Sequence, residues 1–388
     1  MTQGGRFVRQ GAAIATVALV AALGALAAGC ASSGVAAQQR ELDAQLRARG
    51  FAPGQVIIPF QLDDEMKRWV HAAVPDHGRP EAKLHNLLEA LVDKAGLQLE
   101  YESDRTATAQ EVFASRRANC LAFANLFLGM AREIGVPVYF VDVRDLQSFA
   151  REGDLVIVSG HVTAAYGPPE GRLLLDFTLG QTVKYRQVSA ISDLRAIAMY
   201  YSNLGARLLR ENQVEKARAW LETAVRVDPE LPGAWVNLGV ARRRGGDLTG
   251  AELAYRRALE ADPATLSAYQ NLAALLRRQG KDSEAAELLA LTDRKDNRNP
   301  FSYLDLGDLA LRHGRTQEAG RFYHRALRLS REDPEPYAAL GLLALAGGHP
   351  QDARRWLRKA RQQTGPPGVH LAELEAQLAH PAAGEGAR

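Results

Sequence analysis

The sequence predicts an α+β domain followed by an all-α solenoid, and three observations predict it. A 34-residue period runs through the C-terminal half without a slip. A lone internal cysteine opens an apolar helix mid-chain, with strand-like segments behind it. The first 29 residues, basic and then charge-free, read as an address outside either fold. A length of 388 residues allows two or three domains at roughly 100 to 200 residues each. Charge excludes another class. The net charge is +3, and removing Met1 to Gly29, which holds Arg6 and Arg9 and no acid, leaves 3 − 2 = +1. Nucleic-acid binding needs a clustered excess of base, so no nucleic-acid partner is expected.

Met1 to Gln10 carries the two early arginines, and Gly11 to Gly29 is an Ala, Val and Leu stretch ending in Leu26-Ala27-Ala28-Gly29-Cys30. That layout is a secretion signal over 1–29. Its ending resembles the lipobox of bacterial lipoproteins, which implies cleavage before Cys30 and lipidation of its sulfur. The alternative is a membrane-spanning anchor, since the stretch approaches the ~20 residues a bilayer requires. Residues 30–55 lack a clean period and are expected to be a flexible tether. By the same resemblance, Ala31 after the cysteine implies an exported, periplasmic protein held at the outer membrane.

In the C-terminal half, Tyr201, Trp235, Tyr269, Tyr303 and Tyr337 mark the period, with Leu204, Leu238, Leu272, Leu306 and Leu340 three places later. Gly205, Gly239, Ala273, Gly307 and Gly341 follow, and Ala217, Ala251, Ala285, Ala319 and Ala353 hold the next small position. Small residues let two antiparallel helices approach where they cross, and the large ones fill the groove beside the crossing. Pro229 and Pro263 end the first two units, where later units have Asn297, Arg331 and Gly365. The pattern resembles the tetratricopeptide repeat, with five units over 198–365 and a capping helix and tail over 366–388. A solenoid of this kind offers a concave surface to a protein or peptide partner.

The middle segment carries the chemistry. With Cys30 lipidated, Cys120 has no internal disulfide partner, so it is either a small buried hydrophobe or a nucleophile. Asn119 is a good N-cap, and Leu121, Ala124, Phe127, Leu128, Ala131 and Ile134 continue with helical spacing to Gly135 and Pro137. A thiol in the first turn lies at the positive end of the helix dipole, which favours the thiolate. Thr108-Ala109-Gln110-Glu111 is a capping box for a preceding helix. Strands are expected at 138–143, at 155–158 running on through Ser159 and Gly160 into His161, and at 162–166 and 172–177, the last two joined around Gly167-Pro168-Pro169-Glu170-Gly171.

Residues 56–190 resemble the transglutaminase-like fold, a relative of papain-type enzymes. The resemblance lies in Thr106 to Phe113, Arg116-Arg117-Ala118-Asn119-Cys120, Ala131 to Pro137, Gly160-His161-Val162 and Leu175-Asp176-Phe177-Thr178. It implies that Cys120 is a nucleophile, His161 its base and Asp176 the residue orienting the imidazole. It departs from the family at Ala118, where a Gly is common, and at Thr163, where an aromatic is common. A hairpin pairing Thr163 with Asp176 would set His161 and Asp176 diagonally, about 7 to 8 Å apart at the backbone.

The expected fold is therefore an α+β transglutaminase-like (papain-like) domain followed by an all-α tetratricopeptide-repeat solenoid. The expected function is a membrane-tethered cysteine peptidase or acyltransferase acting on amide bonds of a recruited protein or peptide. The competing expectation is a catalytically idle scaffold that binds envelope proteins, and a cell-wall peptide is a third candidate substrate. No cofactor and no metal site are implied, because the remaining histidines are scattered without metal-ligand spacing.

Overall fold

The computed structural model describes residues 36–379 apart from 94, 153–154, 177–184, 186 and 294–296. The expected signal segment, Cys30 and the tail after Ala379 lie outside the described residues. Residues 36–48 form helix α1 with Leu42 and Leu46 buried. This differs from the tether expected over 30–55. The pair lies at i, i+4, so an irregular-looking stretch still has one apolar face to bury. Phe51 then packs under the Arg226 guanidinium, 4.1 Å from its ring centre.

Two compact units divide the chain, the first built mainly from residues 36–145 and 161–204, the second from 205–225 and 229–379. In the first, α2 (Asp64–Ala73) is capped by the Asp63 side chain, and α3 (Pro80–Val92) starts at a proline. Strand β1 (Glu100–Tyr101) precedes α4 (Ala109–Ser115), which has a complete Thr108/Glu111 capping box. Strand β2 (Arg117–Ala118) leads into α5 (Cys120–Glu133), whose residues Leu121 to Leu128 are all buried. Gly135, at φ 79°, ends the helix in the left-handed conformation that glycine tolerates best. Close packing shows at Gly129, where an added Cβ would lie 2.4 Å from the Phe60 carbonyl.

A four-stranded sheet follows, ordered β5-β4-β3-β6, from β3 (Tyr139–Glu152), β4 (Leu155–Tyr166), β5 (Leu173–Leu175) and β6 (Val188–Ile191). Strand β4 runs unbroken through Ser159, Gly160 and His161, joining the segments expected at 155–158 and 162–166 into one. Ala164 pairs with Leu175, Ala165 with Leu174 and Tyr166 with Leu173, the register that sets Thr163 opposite Asp176.

The repeats begin with α6 (Asp193–Arg210) and α7 (Val214–Val227). The start of α6 belongs to the first unit: Asp193 takes a forked contact from Arg132 at 2.7 and 2.9 Å, and the Tyr201 hydroxyl accepts from the Ile57 N–H at 2.7 Å. Helix pairs α8 (Pro232–Arg244) with α9 (Leu248–Ala261), and α10 (Leu266–Arg278) with α11 (Asp282–Ala290), continue the array. The pairs α12 (Pro300–Arg312) with α13 (Thr316–Leu329), and α14 (Pro334–Ala346) with α15 (Pro350–Ala360), complete it before α16 (Val369–Ala379). An added Cβ at Gly239 would lie 2.3 Å from Tyr255, and one at Gly307 2.2 Å from Tyr323, so these crossings admit no side chain. Leu374 of α16 fills the same place against Gly341.

One buried ionic cluster stands out in this unit. His370 of α16 lies between Asp308 of α12, 2.9 Å from Nε2, and Glu335 of α14, 3.0 Å from Nδ1. The Tyr323 hydroxyl donates to the same Asp308 oxygen at 2.9 Å, and Glu335 accepts from the N–H groups of Gly368, His370 and Leu371. Burial disfavours the imidazolium, but bonds to the two carboxylates outweigh it and raise the His370 pKa to about 10. Among the described residues, no helix is long and apolar enough to cross a membrane.

Candidate active site

Backbone pairing puts Cys120 where it is. β1 and β2 run parallel, Glu100 beside Arg117 and Tyr101 beside Ala118. Arg116, at φ 60°, turns the chain out of α4 into β2. The Asn119 N–H donates to the Arg105 carbonyl at 3.2 Å, its Nδ2 donates to Thr106 Oγ1 at 2.8 Å, and its Oδ1 accepts from the Ala122 N–H at 2.9 Å. The turn before Cys120 is thus tied on both sides before the helix begins. Cys120 is a free thiol, half-buried, while the helix behind it is packed in hydrocarbon. Its own N–H is among the first-turn donors that have no partner within a helix. Ala118 is fully buried in β2 and does not adopt positive φ, so this turn makes no demand for the family's glycine.

His161 and Asp176 meet through the β4–β5 register. His161 Nε2 lies 2.9 Å from Asp176 Oδ2, with side-chain exposures of 19% and 15%. An ionised carboxylate only accepts, so Nε2 carries the proton and Nδ1 is the ring nitrogen left for the Cys120 sulfur, to which His161 is also hydrogen-bonded. Burial lowers the basicity of His161, yet the bonds and charges of Asp176 and Cys120 overcome it and raise the pKa to about 10. Thr163, buried, donates its hydroxyl to the carbonyl of Leu175, the residue before Asp176. At the position where the family often has an aromatic, this chain has a clamp on the strand that carries the acid.

Two tyrosines complete the site, and sequence reasoning missed both. Tyr185 donates its hydroxyl to Asp176 Oδ2 at 2.6 Å, with its ring centre 6.1 Å from that of His161. Tyr101, exposed on β1, has a pKa raised by burial of its hydroxyl and by the charges of Cys120 and Asp176. Neither sits in a motif. Tyr101 was recoverable only by pairing the segment before the capping box with the one before Cys120. Among the described residues, no group of three or more His, Cys, Asp or Glu could hold a metal ion. His71 and His85 make ion-pair contacts with Asp76, Glu133 and Glu89.

Comparison with known proteins agrees with this division. A transglutaminase-like superfamily model matches residues 67–164, which include Cys120 and His161 and end before Asp176. Tetratricopeptide repeat models match 203–265, 265–292 and 304–368. No curated protein sequence is similar to the chain. Similar solved structures include pilF of Pseudomonas aeruginosa, 23% identical over 49% of this chain and 95% of its own, with a TM-score of 0.40. A tetratricopeptide protein of Thermus thermophilus is 23% identical over 47% and 97%, with a TM-score of 0.39. MamA from Desulfovibrio magneticus is 18% identical over 48% and 97%, with a TM-score of 0.34. The chain carries a transglutaminase-like domain followed by tetratricopeptide repeats.

Proposed function

We propose that the transglutaminase-like domain is a cysteine peptidase or amide acyltransferase, with Cys120 as nucleophile, His161 as acid and base, and Asp176 as the group orienting the ring. The observation that carries it is the continuous contact from thiol to imidazole to carboxylate, with the sulfur at the first residue of a capped helix. The thiolate adds to an amide carbonyl, and the Cys120 N–H stabilises the oxyanion. The His161 imidazolium protonates the departing amine and leaves a thioester. Water or a second amine then attacks as His161 takes its proton, which frees the thiol and yields an acid or a new amide. The repeats recruit the protein or peptide that holds the amide, or a cell-wall peptide.

In this reading the chain is exported and tethered by a lipid on Cys30, with Ala31 directing it to the outer membrane. Metabolic labelling with a fatty acid tests the tether, because Cys30→Ala removes the label. The chemistry is tested by thiol-directed electrophiles on the full chain. Labelling is fast in the parent, slow in His161→Ala and absent in Cys120→Ala. Equal, slow labelling of the parent and His161→Ala would instead describe a scaffold that has kept the fold.

A further inference from the structure

We propose that Tyr185 is a positioning residue of this thiol site: its hydroxyl anchors Asp176 and weakens the hold of that carboxylate on the His161 proton. The inference rests on the function proposed above. Asp176 Oδ2 accepts two bonds, from His161 Nε2 at 2.9 Å and from the Tyr185 hydroxyl at 2.6 Å. The second lies in the short range of charge-assisted O–H···O bonds. Two donors on one oxygen share its charge, so each bond the tyrosine strengthens is one the histidine loses in part. The tyrosine ring, tilted 35° from the imidazole, also closes one side of the pair. His161 on β4 and Tyr185 bond to Asp176, Cys120 on α5 bonds to His161, and the charges of Asp176 and Cys120 both reach Tyr101 on β1.

The chemistry gives the tyrosine a use. An imidazolium held too tightly is a poor acid for the departing amine, and a carboxylate free to rotate does not hold the ring in line. A donor on the shared oxygen corrects both. Removing it strengthens the hold of Oδ2 on His161, whose proton then leaves at higher pH.

Tyr185→Phe keeps the ring and removes only the hydroxyl. Iodoacetate is the probe, because an anionic reagent is favoured while the imidazolium is charged and loses that advantage when it deprotonates. Labelling of Cys120 in the full chain is followed against pH, together with the His161 ring-nitrogen resonances. The alkaline step, near 10 in the parent, is expected to move up by about one unit in Tyr185→Phe. An unchanged or lowered step overturns the proposal. In an Asp176→Asn background, Tyr185→Phe is expected to add nothing, and an equal shift there also overturns it. His161→Ala separates the two ideas: if its profile matches the parent's, the thiol-site reading itself fails.

Discussion

His161 and His370 make the same contact in different surroundings. Each places Nε2 2.9 Å from an aspartate oxygen, and each aspartate oxygen also accepts from a tyrosine hydroxyl, Tyr185 in one case and Tyr323 in the other. The third partner differs. His161 reaches a half-buried thiol, whereas His370 reaches a second carboxylate, Glu335, and is itself only 7% exposed. A tyrosine–aspartate–histidine chain is therefore not a site by itself. Beside His161 a half-buried thiol completes it, and beside His370 a second acid and closed packing complete it.

The largest expected effect breaks the comparison on the catalytic side. His161→Ala should slow turnover, or labelling of Cys120, by about 10²- to 10⁴-fold, the usual contribution of a positioned acid or base. His370→Ala should leave labelling unchanged, as parallel kinetics on the two variants would show. Stability should separate them the other way. His370→Ala takes the imidazolium from between two buried carboxylates, Asp308 and Glu335, which keep their bonds to Tyr323 and to backbone N–H groups, at a cost of about 3 to 5 kcal/mol, measurable by urea unfolding followed through helical circular dichroism. Equal losses of stability in the two histidine variants would erase the distinction drawn here.

The pH dependence sharpens it. His370 is raised to about 10 from an unfolded value of about 6.5. Its contribution is whole below about pH 6.5 and is lost as pH rises through 10. Burial acts to raise Asp308 and Glu335, but their bonds to His370 prevail and depress both, so their contribution is present above an unfolded value of about 4 and is lost as pH falls. Thermal unfolding of the array should show a plateau between about pH 5 and 6.5, with stability declining on either side. The smallest effect expected is at a helix crossing. Gly239→Ala, which drives a methyl into Tyr255, should cost about 1 to 3 kcal/mol without altering Cys120 chemistry, read from the same unfolding curves.

Much of this was legible because the signals were periodic or local. The spacing of Leu238 from Gly239 and Tyr255 specifies a helix crossing, Asn119 specifies a cap, and Gly167 to Gly171 fixes a register. Helix α1 was missed because two leucines at i, i+4 make a weak pattern. Tyr185 was missed because it stands nine residues from Asp176 in no motif, and no local rule sets that contact. His370 reads as an ordinary array histidine by itself, yet the period held the clue. Its column otherwise contains Tyr200, Ala234, Ala268, Ser302 and Pro336, while Asp308 follows Val240 and Ala274, and Glu335 follows Ser267 and Phe301. Three charged residues break three uncharged columns, and they break them against one another.

Helix α16 keeps the 34-residue step, since Leu371 and Leu374 stand one period beyond Tyr337 and Leu340, so it is the first half of a sixth repeat. Removing that helix would bare Gly341 and the α14 face, an edge shaped to receive another helix of the same kind, and shortened chains should associate through it.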